Sequence, residues 1–361
     1  MDKINVGIIF GGESTEHEVS RRSAVHVIES LDKLKYSFRL IEVTKKGSLN
    51  LYNESRTDVI CEKILQIDNK LKKKPVEISE SLFYENKIDV VFSVIHGTGG
   101  EDGVLQGFLE MCGIPYVGSG VAASAVGFDK AMAKIMFAHE GIPQADYISV
   151  ATENIDYKKL GDEVADRLGY PVFVKPSSGG SSVGIYKVKD EVGLSAAINK
   201  AAAYDRKIII EEYIPGREFE CAVIGGFNNA EALGVGEIIP CNEFYDYAAK
   251  YLDGESDLLI PAPIPRETAE RVRLLATEAY QAIDCAGMAR ADFLLDRHTG
   301  ALYVNEVNTI PGFTPISMYS KLWEASGISY PDLIDRLIQL ALERHADKSQ
   351  SATSFEIPGR D

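Results

Sequence analysis

Apolar runs alternate with glycine-rich polar turns along the first third of the chain. Residues 4–10 form one such run, which ends at Gly11-Gly12. Apolar side chains then recur at helical spacing at four positions, Ala24, Val27, Ile28 and Leu31. A strand, a glycine turn and a helix in this order form the beginning of an α/β unit. The same patterns predict further strands at residues 38–43, 88–95 and 114–117 and a helix at residues 104–112.

From residue 121 onward the apolar periodicity changes. A helix is predicted over residues 121–139, because apolar positions recur there until Gly141-Ile142-Pro143 ends the pattern. After it come strands at residues 171–175, 184–188 and 207–214, with a helix at residues 191–204 before the last of them. Two further helices are predicted at residues 269–284 and 330–344. We therefore predict domains at residues 1–122, 123–215 and 216–345, followed by a disordered tail at residues 346–361.

One stretch of the last third predicts an antiparallel hairpin, since turn formers at residues 296–300 separate two β-forming runs. Side chains in a strand alternate between the two faces of a sheet. Arg290 and Asp292 therefore share one face of the first strand. Glu306 and Asn308 share one face of the second strand. The length of the turn sets Asp292 opposite Glu306 and, two residues along, sets the arginine opposite the asparagine.

The polar face of this hairpin has the composition of a site for a hard metal ion. Asp292, Glu306 and Asn308 offer carboxylate and amide oxygens, with no cysteine or histidine among them. Such a set suits Mg²⁺, which takes one or two protein carboxylates and completes its shell with waters and substrate phosphates. The alternative is a hairpin whose charged residues face only solvent, because antiparallel sheets commonly have one wet side.

A second polar motif follows the predicted strand at residues 171–175. Lys175 ends this apolar strand, and a loop of serines and glycines continues to Gly184. Successive N–H groups in such a loop form an anion-binding nest. The loop has no G-K-[ST] sequence and leads into a strand, which disfavours a P-loop. A flexible linker is the alternative, but a lysine at the end of an apolar strand requires a partner.

Two glycine-rich turns in the first domain end predicted strands at the edge where open α/β sheets bind ligands. The first turn carries Glu16 and Glu18, whose carboxylates are suited to an ammonium group or, alternatively, to the dipole of the following helix. The second turn begins with His96, either a hydrogen-bond donor to a ligand or a structural cap of the turn. Gly11-Gly12 lacks the G-x-G-x-x-G spacing of a dinucleotide site.

Two further segments suit a nucleotide substrate. The apolar strand that ends near Glu211 meets a polar bend whose backbone and carboxylates are of the kind that reads adenine and ribose. Tyr247, Lys250 and Tyr251 lie in a long polar connection. Such an aromatic cluster is normally part of a core, but its position in this connection predicts a closing loop that brings the lysine to a phosphate.

Composition narrows the compartment and the partners. The chain has 361 residues, 45% of them hydrophobic, and 38 Lys and Arg against 54 Asp and Glu, a formal charge of −16. This balance argues against nucleic acid or an anionic membrane as the main partner. The five cysteines form no C-x-x-C pair, which favours reduced thiols in the cytoplasm. We expect no membrane span, since no stretch approaches the about 18 to 20 apolar residues needed, and no signal peptide.

The motifs together resemble the D-alanine–D-alanine ligase family of the ATP-grasp superfamily over about residues 4–345. The matching segments are residues 11–20, 96–103, 129–130, 175–184, 247–251, 290–292 and 306–314. The resemblance implies an α/β and α+β fold of three domains. In it, an N-terminal Rossmann-like (pre-ATP-grasp) domain precedes two ATP-grasp subdomains that sandwich the nucleotide.

The resemblance also assigns roles to residues of this chain. The positions that match ATP-contacting residues are Lys130, Lys175, Ser181, Ser182, Glu211, Ile214, Glu218, Tyr247 and Lys250. The positions that match ligands of two Mg²⁺ ions, with Mn²⁺ also expected to support activity, are Asp292, Glu306 and Asn308. The positions that match amino-acid-binding residues are Glu16, His96, Ser317 and Met318. The positions that match catalytic residues are Glu16, Ser182, Tyr251, Arg290 and Gly312.

The implied activity is ligation of two D-alanines through a D-alanyl phosphate, for the synthesis of a peptidoglycan precursor. The resemblance further implies a homodimer. The intact Tyr247, Lys250 and Tyr251 favour D-alanine over D-lactate or D-serine as the second substrate. The alternatives are a ligase for either of those substrates, another ATP-grasp carboxylate–amine ligase, and a nucleotide-binding protein without turnover.

Overall fold

The computed structural model describes residues 3–52, 73–77, 79–240 and 257–351. Its first sheet has the order β4-β3-β2-β1-β5 and contains β1 (Ile4–Gly11), β2 (Tyr36–Val43), β3 (Leu49–Tyr52), β4 (Lys73–Val76) and β5 (Val90–Ser93). β1 pairs in parallel with β2 and β5, while β3 and β4 add antiparallel edge strands. The central parallel strands are buried on both faces, which explains the continuous apolar run that begins the chain.

In the described residues, four helices accompany this sheet or follow it directly. They are α1 (His17–Ser30), α2 (Glu80–Glu85), α3 (Val104–Met111) and α4 (Val121–Phe128). The strand predicted at residues 114–117 is reduced to a single parallel bridge between Tyr116 and Val91. β1 and β5 end next to the two glycine-rich turns, so that the turns lie at one edge of the sheet.

The predicted single helix at residues 121–139 is wrong, since two helices replace it. α4 ends at Phe128, and α5 (Lys130–His139) begins after Asp129, whose backbone is extended. The Asp129 carboxylate accepts a hydrogen bond from the Met132 N–H at 3.2 Å and one from the Ser177 hydroxyl at 2.6 Å. Lys207 also forms an ion pair with this carboxylate. The break thus ties the start of α5 to the loop after Lys175.

The second sheet is antiparallel and has the order β6-β9-β7-β8. It contains β6 (Tyr147–Ala151), β7 (Val172–Pro176), β8 (Tyr186–Val188) and β9 (Lys207–Glu212), with α6 (Tyr157–Arg167) and α7 (Glu191–Ala201) packed on it. Its apolar core is formed only by residues between Ile148 and Ile210. This part of the chain therefore encloses its own core.

The third sheet is antiparallel and has the order β12-β11-β10-β13-β14. It contains β10 (Gly216–Gly225), β11 (Glu231–Ile239), β12 (Asp257–Leu259), β13 (Gly287–Asp296) and β14 (Leu302–Asn308), and is covered by α8 (Arg266–Ala282). The last helices are α9 (Met318–Ala325) and α10 (Tyr330–Lys348). Since α10 continues to Lys348, the tail begins later than predicted, and residues 352–361 lie outside the described part.

The first and third sheets share a core. One cluster joins Val6 and Phe92 of the first sheet to Trp323 of α9 and Leu337 of α10. A second cluster joins Phe137 of α5 to the third sheet. The predicted domain boundaries near residues 122 and 215 stay a prediction, and apolar contacts cross both of them. No helix in the described residues is long and apolar enough to cross a membrane.

Candidate active site

The predicted register of the hairpin is confirmed. Asp292 on β13 pairs with Glu306 on β14, and Arg290 pairs with Asn308. Directly paired residues project to the same face, so the four side chains form one polar patch. A bulge follows, because Phe293 pairs with Val304 and an extra residue is inserted in β14. The bulge lies next to the patch, as is frequent beside active sites.

Within the patch, Arg290 and Asp292 form a bidentate ion pair. The Arg290 Nε and Nη2 atoms each lie 2.7 Å from a carboxylate oxygen of Asp292. Asn308 also donates its amide N–H to Asp292, at 3.0 Å. Burial alone lowers the pKa of Arg290, but the charges of Asp292 and Glu220 outweigh burial and hold the pKa well above its ordinary value. The guanidinium therefore stays charged at any physiological pH.

Glu220 is a member of the patch that the sequence reasoning missed. It pairs with Asp292 across β10 and β13, and its Oε2 lies 3.0 Å from the Arg290 Nε. Glu220, Asp292 and Glu306 thus form a row of carboxylates across three strands. The alternation of Glu218 and Glu220 along one strand face was the available signal, but it becomes informative only once β10 is known to neighbour β13.

Lys130 connects this patch to the serine–glycine loop. Its Nζ lies 3.2 Å from the Glu306 Oε2 and donates to the Gly179 carbonyl at 2.9 Å. Burial lowers the pKa of Lys130, but the Glu306 charge and hydrogen bond outweigh burial, so the net shift is upward. A charged lysine therefore stands between the predicted metal ligands and the predicted phosphate loop.

The donor set fits a hard divalent cation. Asp292, Glu306 and Asn308 lie together and contribute oxygens only. The third member of the set is the Asn308 amide rather than an acid. In agreement with this, the described residues contain no group of three or more His, Cys, Asp or Glu side chains that could hold a metal ion. Two carboxylates with one amide oxygen match Mg²⁺, whose remaining positions are filled by waters and phosphate oxygens.

A cavity of about 390 Å³ lies beside the patch. Within the described part of the chain, all predicted nucleotide-contacting residues line it: Lys130, Lys175, Ser181, Ser182, Glu211, Ile214 and Glu218. Asp292 and Glu306 line the same cavity. Tyr247, Lys250 and Tyr251 lie outside the described residues, so their roles stay predictions. The volume is within the range of small-molecule sites.

Glu211 is a buried acceptor at the wall of this cavity. Its Oε2 pairs with the Nζ of Lys175, whereas its Oε1 has no hydrogen-bond partner in the structure. Burial raises the pKa of Glu211, but the charges of Lys134 and Lys175 lower it more, so the carboxyl stays ionised. The Oε1 lies 3.6 Å from the Nζ of Lys134. Because Glu211 also lines the cavity, its carboxylate is placed to accept a hydrogen bond from a ligand, such as the amino group of adenine.

The serine–glycine loop has an unusual backbone conformation, and its role in binding phosphate stays a prediction. Ser181 and Ser182 adopt positive φ angles of 51° and 57°, which residues other than glycine rarely do. Such strain is typical of functional loops. The Ser181 hydroxyl donates to Glu16 of the first turn. The resemblance groups Glu16 with Ser182 among the catalytic residues, and the catalytic role of Ser182 stays a prediction.

Glu16 lies in a space formed by two glycines from different segments. A Cβ atom at Gly97 would lie 2.8 Å from the Glu16 Oε2, and one at Gly180 would lie 2.7 Å from it. The side chain is buried, so its carboxylate is held between the two glycine-rich turns. A carboxylate in this position faces the loop beside the cavity and is suited to hold an ammonium group.

His96 is held by the protein at both ring nitrogens. Its Nδ1 lies 3.1 Å from the Ile310 carbonyl and must donate, so the Nε2, 3.1 Å from the Ser23 hydroxyl, accepts. Burial lowers the pKa of His96, in agreement with a neutral ring. This geometry favours the alternative of a structural histidine, which joins the second glycine turn to the segment before Gly312. A direct contact to substrate stays a prediction.

Ser317, Met318 and Gly312 meet at the start of α9. The Ser317 Oγ accepts a hydrogen bond from the Thr314 N–H at 3.0 Å, and Met318 is the first residue of the helix. A Cβ at Gly312 would lie 2.7 Å from the Ser317 Oγ, so only glycine fits here without displacing the hydroxyl. Free N–H groups at a helix start favour a carboxylate.

Glu101 is a further buried group that sequence reasoning did not single out. Its Oε2 accepts the Gly97 N–H at 3.1 Å. Burial and the neighbouring charge of Glu16 raise the pKa of Glu101 well above its ordinary value. Its position in a glycine-rich turn was visible in the sequence, but its proximity to Glu16 comes from the packing of two separate turns.

Two family models match the chain. A model described as D-ala D-ala ligase N-terminus matches residues 5–119, and one described as D-ala D-ala ligase C-terminus matches residues 136–339. The D-alanine--D-alanine ligase of Acetivibrio thermocellus is 48% identical, covering 96% of this chain and 98% of the relative. That of Geobacillus kaustophilus is 47% identical, covering 98% and 99%.

Solved structures with the same fold include two related ligases. The D-alanine-D-alanine ligase from Coxiella burnetii has a TM-score of 0.84 and 34% identity, covering 96% of this chain and 98% of that one. The VanG D-Ala:D-Ser ligase from Enterococcus faecalis also has a TM-score of 0.84, with 35% identity, covering 94% and 100%. The predicted ATP-grasp fold is therefore confirmed.

Proposed function

Because the chain belongs to the D-alanine–D-alanine ligase family, we propose that it joins two D-alanines to D-alanyl-D-alanine, with conversion of ATP to ADP and phosphate. A carboxylate is a poor acyl donor. Transfer of the ATP γ-phosphoryl group to the carboxylate of the first D-alanine gives an acyl phosphate. The amine of the second D-alanine attacks the carbonyl carbon of this acyl phosphate, and phosphate leaves.

The observation that carries this proposal is the contact between Glu16 and Ser181, which lines the cavity. It brings an ammonium-binding carboxylate to the loop that cradles phosphates. The first D-alanine is then bound by its ammonium group at Glu16, with its carboxylate turned toward the nucleotide. Ser182 and Tyr251 complete this end of the site in the proposed assignment.

The nucleotide occupies the cavity beside the loop. Lys130 and Lys175 bind its phosphates, helped by the loop hydroxyls of Ser181 and Ser182. The Glu211 carboxylate and the backbone at Ile214, which both line the cavity, bind the adenine. Glu218, which lines the same cavity, binds the ribose hydroxyls.

Asp292, Glu306 and Asn308 would hold two Mg²⁺ ions in the proposed site, and Mn²⁺ would also support activity. When bound, the ions would supply positive charge that neutralises the phosphate oxygens. Arg290 binds both oxygens of Asp292 and would share this carboxylate with a bound ion, because each carboxylate oxygen has more than one lone pair.

The second D-alanine is oriented by its carboxylate at the start of α9. The Ser317 hydroxyl and the Met318 N–H are the proposed donors. Attack of its amine generates a negatively charged tetrahedral oxygen, which Arg290 and the Gly312 N–H stabilise. Loss of one such donor typically costs about 10²- to 10³-fold in rate. Tyr247 and Lys250, with Tyr251, exclude water so that the acyl phosphate is not hydrolysed.

A product assay tests the proposal. The full-length chain is incubated with ATP, Mg²⁺ and D-alanine, and amino-acid products are separated by chromatography. We expect D-alanyl-D-alanine and one ADP per dipeptide. A second candidate, ligation of D-alanine to D-serine, is favoured by the likeness to the VanG ligase. Mixtures of D-alanine with D-serine or D-lactate decide between them, and preferential formation of a mixed product overturns the D-alanine assignment.

We further propose a cytoplasmic homodimer that acts in peptidoglycan synthesis, with domain boundaries near residues 122 and 215. Support for dimerisation comes from apolar side chains exposed on neighbouring helices of the first domain. Val104 on α3 is 66% exposed, Met111 at the other end of α3 is 90% exposed, and Val121 on α4 is 40% exposed.

Support for the cytoplasm comes from the cysteines. Cys112, with the other described cysteines, is free and buried, as is usual in reducing compartments.

A further inference from the structure

Glu211 lies between two lysines that come from different elements. Lys175 on β7 pairs with its Oε2, and Lys134 on α5 lies 3.6 Å from its Oε1. Only 4% of the Glu211 side chain and 1% of the Lys134 side chain are exposed. Lys175 lines the cavity, whereas Lys134 does not. One lysine is thus accessible to a nucleotide, and the other lies behind the carboxylate.

Lys134 is fixed by contacts that do not involve a ligand. It lies one helical turn after Lys130, so both side chains are on the same face of α5. Its Nζ donates to the Ala145 carbonyl at 3.2 Å and lies 5.3 Å from the centre of the Tyr147 ring. Its own carbonyl accepts a hydrogen bond from the Gln144 side chain at 2.7 Å. The ammonium group is therefore held in one place.

A fully buried lysine is costly unless it is paired with an acid. Glu211 is a buried carboxylate, and it is likewise costly unless a cation pairs with it. When nucleotide phosphates attract Lys175, its pairing with the Oε2 weakens. A buried carboxylate that loses its counter-ion is strongly unfavourable. Lys134 is close enough to neutralise Glu211 in that state, and it cannot follow the phosphates because it lies outside the cavity.

We propose that Lys134 is a positioning residue for nucleotide binding: it is the permanent counter-ion of Glu211. It allows Lys175 to bind the phosphates while Glu211 keeps an oxygen directed at the amino group of adenine. The residue thereby contributes to the choice of an adenine over a 6-oxopurine nucleotide, which presents a carbonyl acceptor where adenine presents a donor. This inference rests on the proposed function, because it assumes that the cavity binds ATP.

Calorimetric titration of the full-length chain with ADP and with inosine diphosphate tests the inference. In Lys134→Met, which keeps the side-chain volume but not the charge, we expect ADP affinity to fall about tenfold or more. The preference for ADP, measured as the ADP affinity divided by the inosine diphosphate affinity, should also decrease. Lys348→Met is the control, since Lys348 also forms an ion pair, with Glu110, but does not line the cavity. We expect the control to keep the wild-type ratio.

A double-mutant cycle with Glu211→Gln separates positioning from general damage. If Lys134 acts through Glu211, the losses in ADP affinity for the two single variants are not additive. Additive losses contradict the inference. Where Lys134→Met does not fold, Lys134→Gln replaces it, since glutamine still donates to the Ala145 carbonyl. Wild-type ADP affinity and selectivity in that variant likewise overturn the inference.

The outcomes distinguish this inference from the proposed function. If the wild-type chain neither binds ADP nor forms the dipeptide, the proposed function fails and the inference fails with it. If the wild-type chain does both and Lys134→Met binds ADP with unchanged affinity and selectivity, only the inference is wrong.

Discussion

Glu220 on β10 lies directly opposite Asp292 on β13, and both carboxylates contact the same nitrogen of one arginine. Arg290 is therefore shared between an acid that is a proposed metal ligand and an acid that is not. Among the described residues, Arg290 pairs with Glu220 and Asp292, and Lys130 pairs with Glu306. The negative charge of three neighbouring carboxylates attracts a divalent cation.

The first prediction concerns the negative charge of this row of carboxylates. Glu220→Gln removes one negative charge and leaves Arg290 with Asp292 as its closest acid. We expect the Mg²⁺ concentration for half-maximal activity to rise about tenfold, measured by steady-state turnover at saturating ATP. Glu42→Gln is the control, because Glu42 is also buried and is bonded by Tyr52, yet lies in the first sheet. An equal change in both variants contradicts the explanation.

A second prediction tests the space around Glu16. Gly180→Ala introduces a Cβ atom 2.7 Å from the Glu16 Oε2, so the carboxylate must shift. We expect the KM for the first D-alanine to rise roughly tenfold, with little change in thermal stability because the end of a side chain gives way. Gly107→Ala on α3 is the matched control, since nothing lies within 4 Å of its added Cβ. A normal KM in Gly180→Ala would argue against Glu16 as the ammonium site.

A third prediction follows from the neutral His96. The folded state holds the pKa of His96 below its ordinary value, so the unfolded state binds more protons between the two pKa values. The corresponding stability is complete above about pH 6.5 and is lost as the pH falls below it. Urea unfolding at pH 7.5 and 5.5 measures the free energy of unfolding at each pH. Its decrease from pH 7.5 to 5.5 should be larger for wild type than for His96→Gln, by up to about 1.4 kcal/mol. Equal losses would exclude a buried neutral ring.

A fourth prediction addresses the second substrate. Ser317→Ala removes a proposed donor to the carboxylate of the second D-alanine. We expect the KM for this D-alanine to rise about tenfold or more, while ATP affinity stays near wild type. Ser326→Ala, just after the other end of α9, is the control, because its hydroxyl donates to the Leu322 carbonyl within the helix. If the first-site KM rises instead, the assignment of the two amino-acid sites is reversed.

The sequence predicted those parts of the site that depend on local periodicity. The alternation of side chains was enough to pair Asp292 with Glu306, because a hairpin fixes its own register. Lys134 and Glu220 were missed for the opposite reason. Their partners, Glu211 and Arg290, are far away in the chain, and only the order of strands in the assembled sheets brings them together.

The helix break at Asp129 has a similar origin. The apolar spacing on both sides of this residue is helical, and Gly127, two residues earlier, lies inside α4 rather than at the break. The break is stabilised by Ser177 and Lys207, which approach from other elements. Tertiary contacts thus override a local helical preference, and single-sequence periodicity contains no information about them.

The separate core of residues 148–210 determines where the molecule can hinge. The first and third sheets are fused through Trp323 and Leu337, so any rotation between them would expose apolar surface to water. Rotation of the β6–β9 sheet as a rigid body leaves its own interior intact. We therefore expect the second sheet and its serine–glycine loop to rotate away from the first and third sheets when substrate enters. This rotation would break the hydrogen bond between Ser181 and Glu16.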